Sequence, residues 1–220
     1  MAAPLTRRSA KNVRHEKTRS IAHVAKPARQ RILETANRLF YQQGSRAVGI
    51  DTVIAESGVA KMSLYRSFRS KDELIAACLE ERNTRYWQWF DSVVAENEGN
   101  PREQLRALIH RMARRTTKPG YRGCPFLNTA LDYEDAAHPA RQLAVRHKKT
   151  LAAKLLAICR RQDARDPQSL ARQLVLLING AQATAGMLGE ATQLELVQAA
   201  EFLIDRQCTK PARRQKASSS

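Results

Sequence analysis

Long apolar runs are missing from this chain of 220 residues. Runs such as Leu174 to Ile178 fall far short of the roughly 18 residues a membrane-crossing helix needs. The first 26 residues are basic, yet no apolar segment follows them, so the pattern of a signal peptide is absent. Cysteine is sparse. Cys78, Cys124, Cys159 and Cys208 stand apart with no CxxC spacing, which argues against a zinc module or a disulfide framework and fits a reducing cytoplasm. The five histidines show no HExxH-like spacing, and no glycine-rich phosphate loop is present. No motif ties His138 or His147 to a cysteine nucleophile. Enzyme chemistry, a metal and a cofactor are therefore not indicated.

Acidic residues are also few. Asp and Glu number 21 against 38 Lys and Arg, giving a formal net charge of +17. Such an excess suits a polyanionic partner. It is unevenly spread. Residues 1–26 carry a net +6, residues 27–74 a net +3, residues 75–208 a net +4 and residues 209–220 a net +4. The two ends are the most basic per residue, so a polyanion should meet the N-terminal part.

What is present is helical periodicity and a 43% hydrophobic content, enough for a core. Ile32, Leu33, Ala36, Leu39 and Phe40 share one face of a first helix that opens at Pro27, a good N1 residue, and stops at Gly44. Residues 50–57 and 62–69 form two short helices. Ser70 caps a long fourth helix to about residue 95, with Asp72 and Glu73 in its first turn. Further helices are expected over residues 101–117, 125–132, 139–162, from Pro167 onward, and 192–206. Thr192 and Glu195 have capping-box spacing. No strand pattern or repeat appears, so the fold is all-α with about nine helices. Four segments result: a basic arm (1–26), a three-helix unit (27–74), a larger helical body (75–208) and a basic, serine-rich tail (209–220).

Residues 44–74 carry the most information. Ile50, Val53, Ile54 and Val59 pack inward, and Gly58 sits at a sharp reversal that favours φ > 0. In the next short helix Leu64 and Phe68 face the core, while Lys61, Met62, Ser63, Tyr65 and Arg66 occupy the other side. A small helix with an apolar underside and a basic, hydroxyl-bearing top suits the DNA major groove. The run Val53-Ile54-Ala55-Glu56-Ser57-Gly58-Val59-Ala60-Lys61, followed by Leu64-Tyr65, Phe68, Lys71 and Leu74, resembles the signature of the TetR family of bacterial regulators.

The resemblance implies that Tyr65 and Lys71 grip phosphate, and that Lys61, Met62, Ser63, Arg66 and Ser67 approach base edges. Double-stranded DNA carrying a pseudo-palindromic operator is the implied partner. The chain departs from the family at three places. Met62 stands where glycine or another small residue is usual. Ala60 replaces a Ser-like cap. Val48, Gly49 and Ile50 replace hydroxyl residues before the second helix, and Asp51 brings an acid close to DNA. Asp51 has two readings: a helix-terminal charge or an acceptor for a cytosine amino group.

The resemblance also implies a homodimer through the last two helices, with Gly180, Ala181, Ala183, Ala185 and Gly186 allowing close approach, and a small-molecule effector pocket in the body. Candidate lining residues are Trp87 and Phe90 on the fourth helix, then Cys124, Phe126, Asn128 and Leu131. The alternatives stay open at this point. Trp87 and Phe90 can equally be plain core. Cys124 can be a buried structural thiol, a pocket residue or a redox or electrophile sensor. The basic arm can serve as a DNA-binding arm or a solvated tail, and a non-specific architectural DNA binder competes with a sequence-specific repressor.

Overall fold

The computed structural model describes residues 26–189 and 191–208. Among these the chain forms nine α-helices and no strand: α1 (Ala28–Gln43), α2 (Ile50–Ser57), α3 (Lys61–Ser67), α4 (Lys71–Glu96), α5 (Pro101–Thr116), α6 (Pro125–Asp132), α7 (Pro139–Arg161), α8 (Pro167–Leu188) and α9 (Ala191–Cys208). The expected basic arm up to residue 25 and the tail from residue 209 lie outside the described residues.

Local chemistry sets most starts. α5, α6, α7 and α8 each open on proline, whose fixed φ suits the first turn and whose missing N–H would have no helical partner there. Asn100 and Asp166 cap two of them, accepting from Glu103 N at 3.2 Å and from Ser169 N at 2.9 Å. At α4 the Ser70 hydroxyl accepts from Glu73 N (3.1 Å), and the Glu73 carboxylate accepts from Arg69 N (2.7 Å).

Three expected boundaries shift. Pro27 is the N-cap of α1, not its first helical residue. α3 ends at Ser67, because Phe68 adopts extended backbone (φ −145°, ψ 122°) and drops its ring into the core. Thr192 does not cap α9. Gly189 (φ 72°) turns the chain, Thr192 N donates to Gly189 O at 3.2 Å, and the helix has already begun at Ala191. The Thr192 hydroxyl is buried without a hydrogen-bond partner.

Three apolar clusters organise the chain. The first joins α1, α2, α3 and the start of α4 through Ile32, Leu39, Val53, Leu64, Phe68 and Leu74. The turn between α2 and α3 is held by Gly58 in left-handed backbone (φ 61°, ψ 31°). Arg31 clamps it, donating to Ser57 O at 2.6 Å and Gly58 O at 2.9 Å. The second cluster sets Ile75 and Leu79 of α4 against Phe126 of α6 and Leu143 and Ala144 of α7. The third joins Phe90 and Val93 of α4 to α5, α7, α8 and α9. Each fully buried Leu or Phe stabilises the fold by ~1.5–3 kcal/mol. α4 enters all three clusters. At 1.5 Å per residue its 26 residues span about 39 Å, making it the rod between the reading unit and the body.

Candidate DNA-reading face and effector cavity

α3 presents its charged and polar side chains because Leu64 and Phe68 are committed to the core at 1% exposure each. Lys61, Met62, Tyr65 and Arg66 come together on the exposed face, Met62 at 70%. Ser63 and Ser67 sit on the flank, half-buried. The Ser67 hydroxyl donates to Ser63 O at 2.8 Å, so its proton is spent within the helix. Lys71 donates to Arg46 O at 3.3 Å and thus sits over the loop before α2. Ala60 offers α3 no side-chain cap. Asp51, in the first turn of α2, is 88% exposed and lies 3.6 Å from Lys61 Nζ.

Below the reading unit lies a cavity of about 680 Å³. Its walls come from α1 (Asn37, Tyr41), α4 (Arg82, Tyr86), the end of α5, the loop before α6, α7 (His147, Lys148) and Gln182 of α8. A smaller cavity of about 290 Å³ adjoins it between the end of α1 and α6 and shares Asn37, Tyr41 and Arg82 as lining. Asn37 ties the two helices of this wall. Its amide donates to Glu81 Oε2 at 2.7 Å, and its side-chain and backbone oxygens each accept from Arg82 at 2.8 Å.

One side of the cavity is a polar-aromatic knot. Phe126 and His147 stack with centroids 3.5 Å apart, and Tyr86 meets His147 edge-on at 4.6 Å. Asn83 Oδ1 accepts from Trp87 Nε1 at 2.8 Å and bonds His147 Nδ1 at 2.9 Å. An indole N–H only donates, which assigns that Asn83 atom as oxygen, so His147 must carry its proton on Nδ1. Burial, reinforced by the Lys148 charge, pushes His147 down to about 3. The ring is therefore neutral and keeps an acceptor lone pair on Nε2. The Tyr86 hydroxyl is buried with no hydrogen-bond partner, and burial pushes its ionisation well above the usual phenol range.

The candidate lining residues separate. Cys124 and Phe126 line the larger cavity, and Asn128 lines the smaller one. Trp87 and Phe90 line neither. Phe90 is 2% exposed within the body core, and Trp87 packs against that core. Leu131 is 74% exposed, on the side of α6 turned away from both cavities.

The family model "Bacterial regulatory proteins, tetR family" matches residues 32–78, and "Tetracyclin repressor-like, C-terminal domain" matches residues 101–200. A solved TetR-type regulator from Streptomyces avermitilis is 33% identical, with a TM-score of 0.64, covering 80% of this chain and 99% of its own. The chain belongs to the TetR family of transcriptional regulators. A solved TetR-family regulator from Streptomyces coelicolor superposes with a TM-score of 0.79 at 28% identity, covering 83% of this chain and 96% of that one. The transcriptional repressor NemR of Escherichia coli is 26% identical over 120 residues, which span 54% of this chain and 60% of NemR.

TetR-family regulators bind DNA and form homodimers. In this member the last two helices keep large apolar side chains outside. Leu176 and Met187 of α8 and Leu194 and Phe202 of α9 are 61–75% exposed. Gly180, Ala183 and Gly186 are exposed beside them, but Ala181 and Ala185 face inward and belong to the buried set. The expected small-residue stripe is thus split between two faces of α8. Among the described residues no helix is long and apolar enough to cross a membrane, and no group of His, Cys, Asp and Glu could hold a metal ion.

Proposed function

We propose that this regulator is a repressor that reads a pseudo-palindromic operator as a homodimer and lets go when an effector fills the cavity. The carrying observation is the two-sided α3. Its apolar side is locked into the head, and Lys61, Met62, Tyr65 and Arg66 stand clear on the other. Tyr65 and Lys71 hold phosphate and set register, while Arg66 pairs with a guanine and Met62 packs on a thymine methyl. The reading domain comprises residues 27–74 and the effector-binding and dimerisation domain residues 75–208. Two copies pair through α8 and α9 around Leu176 and Phe202 and place their α3 helices one helical turn of DNA apart. Repression follows the sign given in NemR's name, and the cytoplasm is the place such a DNA-binding protein works.

Effector release is supported by where the cavity lies. It borders both α1 and α4, so a ligand there acts on the helices that carry the reading unit. The Asn37–Arg82 link is the element it would disturb. Selection of bound duplexes from a random pool, with wild type and Tyr65→Ala in parallel, tests the proposal. A palindromic motif enriched by wild type and lost in the variant is expected. Retained binding with no motif in either protein would replace it with a non-specific architectural binder.

One observation favours a second trigger. The Cys124 thiol is on the cavity wall, within reach of a small electrophile. Alkylation at Cys124 that leaves operator affinity unchanged would dispose of this sensing role.

A further inference from the structure

The cavity's charge is out of balance. Six cations line it (Arg38, Arg82, Arg85, Arg115, Lys118, Lys148) against two carboxylates, Glu34 and Glu81. Both carboxylates are already engaged. Glu34 pairs with Lys26 at 2.7 Å, and Glu81 accepts from Asn37 and lies 3.4 Å from Arg85. Arg38 is paired with Glu56 outside the cavity. That leaves Arg82, Arg115, Lys118 and Lys148 with no described carboxylate in salt-bridge reach. Lys148 makes do with the neutral oxygens of Asn179 (2.6 Å) and Gln182 (3.4 Å). Arg82 spends donors on Asn37, yet burial and the neighbouring Arg85 still press its ionisation downward. Arg82 and Lys148 are half-buried, while Arg115 and Lys118 are exposed. Partly desolvated cations such as the first two, with like charges nearby, raise the free energy of the empty state, and an anion relieves it.

The same walls are aromatic. Tyr41, Tyr86, Tyr121, Phe126 and His147 line the space, and the buried Tyr86 hydroxyl has no partner. Inorganic phosphate would satisfy the cations but leave the half-buried rings of Tyr41, Tyr86 and Tyr121 in contact with water. At about 680 Å³ the space matches a multi-ring organic molecule.

We propose that the effector is an aromatic carboxylate, its charge met by Arg82, Arg115 and Lys148, its rings by Phe126 and Tyr121, and one polar atom by the Tyr86 hydroxyl. This rests on the reading of the cavity as the effector site and specifies its chemistry. The test is calorimetry on the full-length protein with matched carboxylates, carboxamides and methylamines on benzene, naphthalene and anthracene cores. At least one carboxylate is expected to bind about tenfold or more tighter than its amide and to release an operator duplex. In Arg115→Gln/Lys148→Gln that preference should vanish while amide binding stays. Tyr86→Phe, which keeps the ring and removes a buried hydroxyl that has no partner, should weaken the carboxylate without lowering thermal stability. Amides or amines binding as well as carboxylates, with binding lost in Phe126→Leu, would overturn the anionic class but keep the effector cavity. No binding by any series, with operator binding intact, would overturn the cavity's role itself.

Discussion

At the scale of single residues, His147 is the side chain most altered by its surroundings. It is 3% exposed, stacked on Phe126, and holds Asn83 through Nδ1–H. Its depressed ionisation means that the unfolded chain takes up a proton near pH 6.5 while the folded chain resists down to about 3. Stability from this residue is thus complete above pH 6.5 and is lost as pH falls through that window, at roughly 1.4 kcal/mol per pH unit. His147→Gln keeps a donor for Asn83 and removes the titration. Chemical denaturation from pH 7 to pH 4 should show a shallower acid loss in the variant than in wild type. Asp51 offers a second residue-scale prediction. Its 3.6 Å approach to Lys61 adds a third reading to helix-terminal charge and base reader, that of a local charge that holds a lysine off DNA. Asp51→Ala should free Lys61, strengthen binding to all duplexes and steepen the salt dependence by about one phosphate contact. A changed base preference at one operator position, with an unchanged slope, would favour the base-reading role.

At the scale of elements, most of the architecture was legible in the sequence. Proline at the first turn, Asn or Asp before it, and apolar spacing are local signals, and local signals set helix starts. α6 ran over residues 125–132 as its proline and apolar spacing required. Where the reading failed, a competing local turn or a neighbour in space decided. Thr192 lost its capping role to the Gly189 turn. The aromatic run on α4 could not be oriented, since a helix buried on several sides offers apolar residues to all of them. Trp87 and Phe90 went to the core and Tyr86 to the cavity. His147 and Asn83, 64 positions apart, gave no sign that they would meet. The uncapped start of α3 was legible, and it gives a prediction. Ala60 has φ −67° and ψ 141°, backbone that a capping serine adopts freely. Ala60→Ser should stabilise the protein by about 1 kcal/mol, read as a shift in denaturation midpoint.

At the scale of the whole molecule, the exposed residues of α8 and α9 matter most. A stripe holding Leu176, Met187, Leu194 and Phe202 would be an aggregation hazard on a monomer. Phe202→Glu places two like charges near the proposed two-fold axis. Sedimentation should show a shift toward monomer, and operator affinity should fall because each half-site is then bound alone. A dimer that persists in the variant would move the interface elsewhere.

The loop before α6 links these scales. Gly123 O accepts from the Tyr41 hydroxyl at 3.2 Å, Arg122 N donates to that hydroxyl at 3.0 Å, and a Cβ at Gly123 would come 3.1 Å from Gln182 O of α8. Gly123 is therefore wedged between the Tyr41 phenol of α1 and the Gln182 carbonyl of α8. Gly123 behaves as a shim. Thickening it by one methyl group, in backbone of φ 85° that already resists a side chain, would push α8 and α1 apart with no ligand present. Gly123→Ala should accordingly show weakened operator binding without effector, measured by titration of a labelled duplex. The regulator's set point, the occupancy of its operator when nothing is bound, would then be written in the width of a single residue.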